Sequence, residues 1–263
     1  MNRKGVLKRL EDSIYPIISI LIFLVIWHLG VTLTSLKVVM PSPITVIQEF
    51  LDSFIDPIGK YKMVYHVFYS LMRVVPAYIV GSILGILLGI LMGWYPKVNA
   101  IFRPIYELIR PIPPIAWIPI SIIWFGIIGE GSKWYLIFLA SFVPITLNAF
   151  AGAKSVDPTL IKCSKMLGAT DRQVFSSVVL PSSVPYIFAG LQVGLSGAWA
   201  TVVAAEMIRS TEGVGWIIIS SMDTNDITQN LVGIVAIGIV GFFLAVIMRK
   251  VEEKLCAWNK REI

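Results

Sequence analysis

The residues able to do chemistry in this chain are few and scattered. Two histidines, His28 and His66, and two cysteines, Cys163 and Cys256, stand far apart. No spacing among them gathers metal ligands or pairs a nucleophile with a base. Among the polar residues within or bordering long apolar stretches are Asn148, Gln192, Ser196, Thr201 and Glu206. Polar side chains in such places either hydrogen-bond between helices or mark a solute route. Gln192, Ser196, Trp199, Thr201 and Glu206 are therefore candidate pathway residues, with interhelical bonding as the simpler role. Glu206 either pairs with Arg209, gates the route, or is a solvated helix end. The chain has no G-x-x-x-x-G-K-[ST] phosphate loop, and Gly131-Ser132-Lys133 only half resembles one.

These groups have to be positioned by 263 residues of which 56% are hydrophobic and 14% charged, with a mean hydropathy of +0.79. Soluble domains are about 45–50% apolar and about 25% charged. Too little polar surface remains to coat a water-soluble fold, so disordered, collagenous, disulfide-scaffold and ordinary cytosolic-enzyme classes are excluded. A span needs about 20 apolar residues. Six windows free of charged side chains qualify: 13–36, 74–96, 111–129, 134–153, one ending at 205, and 227–248. The fifth begins at Gln173, and Pro181 and Pro185 place the start of its membrane part near Val184.

The net charge of +6 fits a membrane protein better than a nucleic-acid binder, because no basic cluster is interleaved with exposed aromatics. With both termini cytoplasmic, the inner segments hold 16 Lys and Arg and the outer segments 6, as the positive-inside rule requires. Residues 1–12 and 249–263 are then cytoplasmic tails, with a six-helix domain over 13–248. Arg3, Lys4, Lys8 and Arg9 precede the first window, which is too long for a signal-peptide core and lacks an A-x-A-like site, so it reads as a retained helix. Both cysteines fall on the cytoplasmic side, where thiols stay reduced.

Gly81, Gly85, Gly89 and Gly93 recur every fourth residue and bare one face of the second helix for close packing, within the subunit or as a sliding or dimer surface. Pro111, Pro113, Pro114 and Pro119 remove backbone donors at the entry to the third window. Irregular backbone at that depth needs shelter, which predicts an entry inside the bundle, lining a pathway, with a simple break at the membrane edge as the equal alternative. Ser42-Pro43 caps a short helix whose Ile44, Ile47, Leu51 and Phe54 form an apolar face suited to a membrane interface.

The loop 154–181 is more elaborate than a connector. Asp157-Pro158 opens a helix through about Met166, and Gly168 is placed to end it in the left-handed conformation. Thr170 with Gln173 forms a capping box that opens a second short helix through about Val179, which Leu180-Pro181 is expected to stop. Two capped helices joined at a glycine make a rigid elbow on which a partner docks.

The string from Asp157 to Thr170, followed by Val178-Val179-Leu180-Pro181, resembles the cytoplasmic loop of binding-protein-dependent ABC importer permeases. That loop reads E-A-A-x3-G, nine residues, then I-x-L-P. The glycine and the Leu-Pro pair match, while Lys162, Cys163 and Ser164 replace the Glu-Ala-Ala triplet. Pro41-Ser42-Pro43, Ser70-Leu71-Met72-Arg73, the run Arg110 to Pro119, Trp124-Phe125-Gly126, Ala205-Glu206 and Gly213-Val214-Gly215 resemble the nitrate, sulfonate and taurine branch.

The resemblance implies an all-α integral membrane protein with six transmembrane helices, the transmembrane domain of a type I ABC importer. It implies residence in the plasma (inner) membrane of a prokaryote and a second permease copy as homodimer partner. It also implies cytoplasmic ATPase subunits that carry the ATP and Mg, an external binding protein, and no cofactor or metal on this chain. The elbow residues Lys162, Cys163, Ser164, Gly168, Ala169, Thr170, Leu180 and Pro181 would couple to the ATPase. Two rivals are weighed. An ion-driven secondary transporter needs buried acids near mid-membrane, and a membrane enzyme needs a convergent constellation; the six windows contain neither.

Overall fold

The computed structural model describes the backbone of residues 3–126 and 129–256, and side chains within them except those of residues 3–13, Leu36, Val38 and Arg209. The tail beyond 256, residues 127–128 of the third window, the basic side chains before the first window and the expected Glu206–Arg209 pair lie outside the described residues.

Helix dominates. In chain order the helices are α1 (Arg3–Leu33), α2 (Pro43–Asp52), α3 (Met63–Trp94), α4 (Pro96–Ile109), α5 (Ile118–Phe125), α6 (Gly131–Lys154), α7 (Pro158–Met166), α8 (Asp171–Val174), α9 (Leu180–Arg209), α10 (Val214–Asp223) and α11 (Ile227–Leu255). Residues 14–33 of α1, together with α3, α6, the run Asp171–Ile208 and α11, are each long and apolar enough to cross a membrane. The third expected span, 111–129, is not one straight helix. α4 and residues 114–125 meet at 88°, because Pro111, Pro113 and Pro114 remove three backbone donors and Pro113, which precedes Pro114, takes an extended ψ of 140°.

Two compact units arise. One comprises the described residues up to 63 together with 217–236; the other comprises 64–216 with the described residues from 237 on. In the first unit, Ser42 Oγ accepts from the Thr45 amide at 3.2 Å and Pro43 opens α2. Pro43 and Val46 are buried while Ile44, Ile47 and Leu51 stay exposed, the amphipathic pattern expected. Gly233 of α11 packs against Ile217 and Ile218 of α10.

In the second unit α6 is clasped from two sides. On one side, Gly81, Gly85, Gly89 and Gly93 of α3 receive Ser141, Ile145, Ala149 and Ala153 so closely that a Cβ on Gly89 would stand 2.5 Å from the Thr146 carbonyl. The predicted four-step face is thus a packing seam within the subunit. On the other side, α9 presents Gly190, Gly194 and Gly197 to Asn148, Ile145 and Ala140. Val74, Ile137, Ile145, Ala198 and Val202 form the core between these helices, each fully buried.

Three expectations are corrected. Leu180-Pro181 does not stop the second elbow helix: residues 175–179 form a π turn, with the Leu180 amide donating to Phe175 O five residues back, and the chain runs on into α9. The wider turn precedes Pro181, which lacks the donor a regular ladder needs, while Pro185 lies within α9 itself. The proline break of the third window is not inside the bundle, since Pro111, Ile112, Pro113 and Ile115 are exposed. It borders α6 on one side, across a cavity of about 110 Å³ lined by Trp117, Leu139 and Val143. The helix carrying the glycine face starts at Met63 rather than at 74, which brings Arg73 inside a span.

Candidate functional site

The elbow follows local chemistry. Asp157 Oδ1 accepts from the Thr159 amide at 2.8 Å, Pro158 occupies the first turn, and α7 ends at Met166 as expected. The amide hydrogen bond holds the exposed Asp157 carboxyl below its ordinary range. Gly168 has φ +86°, the left-handed value that L side chains avoid. Thr170 and Gln173 complete the capping box: the Gln173 amide donates to Thr170 Oγ1 and the Thr170 amide donates to Gln173 Oε1. Lys165 Nζ stands 2.8 Å from Asp171 Oδ1 and ties α7 to α8.

Lys162, Cys163, Gly168 and Thr170 are exposed, while Ser164 and Ala169 are half-buried. Leu180 is half-buried and Pro181 is exposed where the π turn joins α9. Sequence reasoning missed the tip itself: Met166 and Leu167 are 87% and 89% exposed, and Leu160 is 53% exposed. Apolar side chains left bare on this loop make it a candidate interaction surface. At its base Phe175 packs on Trp94 and Tyr95, with ring centroids 6.0 and 6.3 Å apart, so the elbow bears on the α3–α4 junction.

The pathway candidates separate into two places. Gln192, Ser196 and Trp199 line a cavity of about 250 Å³ with Gly241, Leu244 and Met248 of α11. Gln192 donates to the Glu252 carboxylate, and the Trp199 indole donates to Ile237 O at 3.1 Å. Thr201 is buried and does not line that cavity.

Glu206 is elsewhere, and it is not a solvated helix end. It is fully buried, with Ser70 Oγ at 2.8 Å and Arg73 Nη1 at 2.8 Å from Oε1, and the Gly215 amide at 3.0 Å from Oε2. Arg73 also contacts Glu130 through Nε at 2.7 Å and Glu212 through Nη2 at 2.6 Å; Lys133 Nζ joins Glu130 at 3.1 Å. Three carboxylates thus converge on one guanidinium. His66 is not isolated either: its Nδ1 accepts from the Gly213 amide at 3.1 Å, and its ring stacks on Trp216. The available signal was that Arg73 and Glu206 abut apolar windows on the same expected side.

A family model described as binding-protein-dependent transport system inner membrane component matches residues 81–254. The chain is 37% identical to the taurine transport system permease protein TauC of Escherichia coli (strain K12) over 246 residues, 92% of this chain and 88% of that one. It is 31% identical to the putative aliphatic sulfonates transport permease protein SsuC of Bacillus subtilis (strain 168), covering 95% of this chain and 88% of the relative. With the nitrate import permease protein NrtB of Synechocystis it shares 32% identity over 88% of this chain and 85% of the relative. Among solved structures, an inward-facing MetNI methionine ABC transporter chain superposes with a TM-score of 0.59 at 19% identity, over 75% of this chain and 96% of that chain, which shows a shared fold. The helical spans, the capped elbow with its Gly168 and Leu180-Pro181 signature, and this sequence kinship lead to one conclusion: the chain belongs to the inner-membrane permease components of binding-protein-dependent ABC importers.

Proposed function

We propose that this permease moves a small solute of the nitrate, sulfonate or taurine kind, handed over by an external binding protein and driven by a separate cytoplasmic ATPase docked on the elbow. The printed roles of TauC, SsuC and NrtB support the solute class. The observation that carries the docking role is the bare tip of Leu160, Met166 and Leu167 on two capped, ion-paired helices. A push on α7 would reach α8 through the turn that the Gly168 and Ala169 amides close onto Lys165 O and Ser164 O, and would continue along the π turn into α9. ATP hydrolysis belongs to the partner, since this sequence lacks the phosphate loop. Two permease copies, both termini in the cytoplasm and a plasma-membrane location complete the reading.

Cys163 provides the test, being an exposed thiol on the elbow. With Cys256 replaced by serine, a membrane-impermeant maleimide should modify Cys163 only from the cytoplasmic side. The reaction should be suppressed when the cognate ABC ATPase is bound. Labelling from outside, or labelling indifferent to the ATPase, would reject the docking role.

A further inference from the structure

The Glu206 cluster lies at the end of the second unit away from the elbow. α6 runs from Gly131, beside Glu130, to Lys154, beside the elbow, and its 24 residues separate the two by about 36 Å at 1.5 Å per residue. At that end a short strap, residues 210–215, leads from α9 into α10. Its three successive amides at Gly213, Val214 and Gly215 are all received by side chains: His66 Nδ1, Ser70 Oγ and Glu206 Oε2, at 3.1, 3.0 and 3.0 Å. These amides open α10, where the carboxylate of Glu206 also meets the positive end of the helix dipole.

The fit leaves no slack. Arg73 makes five hydrogen bonds, one from Nε and two from each terminal nitrogen, to Glu130, Glu206 and Glu212, which accounts for all of its donors. Gly213 has φ +116°, and a Cβ there would fall on the Glu206 carboxyl group; one on Gly215 would meet the backbone of Val203. No larger residue fits either place. Moving the strap away from α3 would part Arg73 from both Glu212 oxygens and strip the Gly213 and Val214 amides of His66 Nδ1 and Ser70 Oγ together, a cost above that of parting an exposed ion pair.

We infer that Arg73 and Glu206 are positioning residues of the transport cycle, holding the ends of α3, α6 and α9 and the strap as one body whose internal geometry does not change while the solute route opens elsewhere. This rests on the ATP-driven reading above. A ligand gate built from these segments would instead need a second set of partners for each charge, and Arg73 has no donor left to offer one.

The test uses the complete complex of permease, ATPase and binding protein in lipid, with the native cysteines replaced by serine. Spin labels go on exposed Val75 of α3 and Thr211 of the strap, and a second pair joins Val75 to Trp134 of α6. A control pair reports from Lys162 on the elbow to the ATPase. Between the nucleotide-free and vanadate-trapped states the control distance should shift while both brace pairs keep superimposable distributions. A brace pair that separates in the trapped state overturns the inference and leaves the elbow reading intact. A silent control pair removes the elbow reading, and the inference with it. In Glu206→Gln the brace pairs should keep their resting distribution and broaden in the trapped state, with uptake reduced; a variant that matches its parent in both states and in uptake also overturns it. Should that variant fail to fold, the comparison in the parent protein still decides.

Discussion

At the scale of single residues, Arg73 is the most consequential side chain in the described structure, because it neutralises Glu206, whose side chain is 0% exposed. Arg73→Met would leave that carboxylate buried without a counter-charge, held only by the Ser70 hydroxyl and the Gly215 amide. Removing one member of a buried pair costs about 3–5 kcal/mol, so thermal unfolding in detergent should occur well below the parent's midpoint. An unchanged midpoint would show that the pair contributes nothing. The two outer carboxylates predict a pH dependence. Burial raises Glu130 and Glu212, but hydrogen bonds and charge from Arg73, with Lys133 on Glu130 and Thr211 on Glu212, outweigh it and hold both below the ordinary carboxylate range. Groups depressed in the folded state contribute stability above their unfolded pKa and lose it as pH falls through the folded value. Stability should therefore be flat from neutrality down to about pH 5 and decline below about pH 4, a profile that unfolding midpoints across a buffer series would check. Glu130 is 39% exposed, so its share is small.

At the scale of elements, two glycines of the same composition class predict opposite failures. Gly89 lies in the α3–α6 seam, where a Cβ would stand 2.5 Å from the Thr146 carbonyl and 2.7 Å from Ala149 Cβ. Gly89→Leu must push the helices apart, at about 1–3 kcal/mol or more, and should reduce the amount of folded protein recovered from membranes. Gly168 has open space around it but φ +86°. Gly168→Val should insert and fold normally, because the strain of about 1–3 kcal/mol falls on the elbow alone, and yet lose ATP-driven uptake. Gly168→Asn, which tolerates the left-handed region, should retain most of it. Equal uptake by the valine and asparagine variants would separate elbow geometry from transport. The elbow was legible before folding because caps, prolines and the left-handed glycine act within about four residues of themselves. The π turn was not: a proline pair signals a break, and both a stop and a widened turn satisfy its missing donors.

At the scale of the whole molecule, the five long apolar helices and the bent pair among the described residues mark a membrane domain, and the proposed ATPase partner makes a prediction about its energy source. Uptake into vesicles holding the complex should cease when ATP is removed with ion gradients maintained, and persist when the gradients are collapsed with ATP present. The reverse pattern would contradict the ATPase partnership. Composition, the period of the apolar stretches and the Lys and Arg asymmetry determined by themselves that this chain lives in a bilayer, roughly where it crosses, and that a capped elbow interrupts it, because each of those signals is local or additive. What only the tertiary structure decided is which polar residues meet. Arg73 and Glu206 are 133 residues apart in sequence, and Ser70 and Val214 are 144 apart. Nothing local distinguishes a carboxylate at a wet helix end from one sealed against a guanidinium. That difference exists only once close packing through Gly81, Gly85, Gly190 and Gly194 has brought three helices near enough to exclude water.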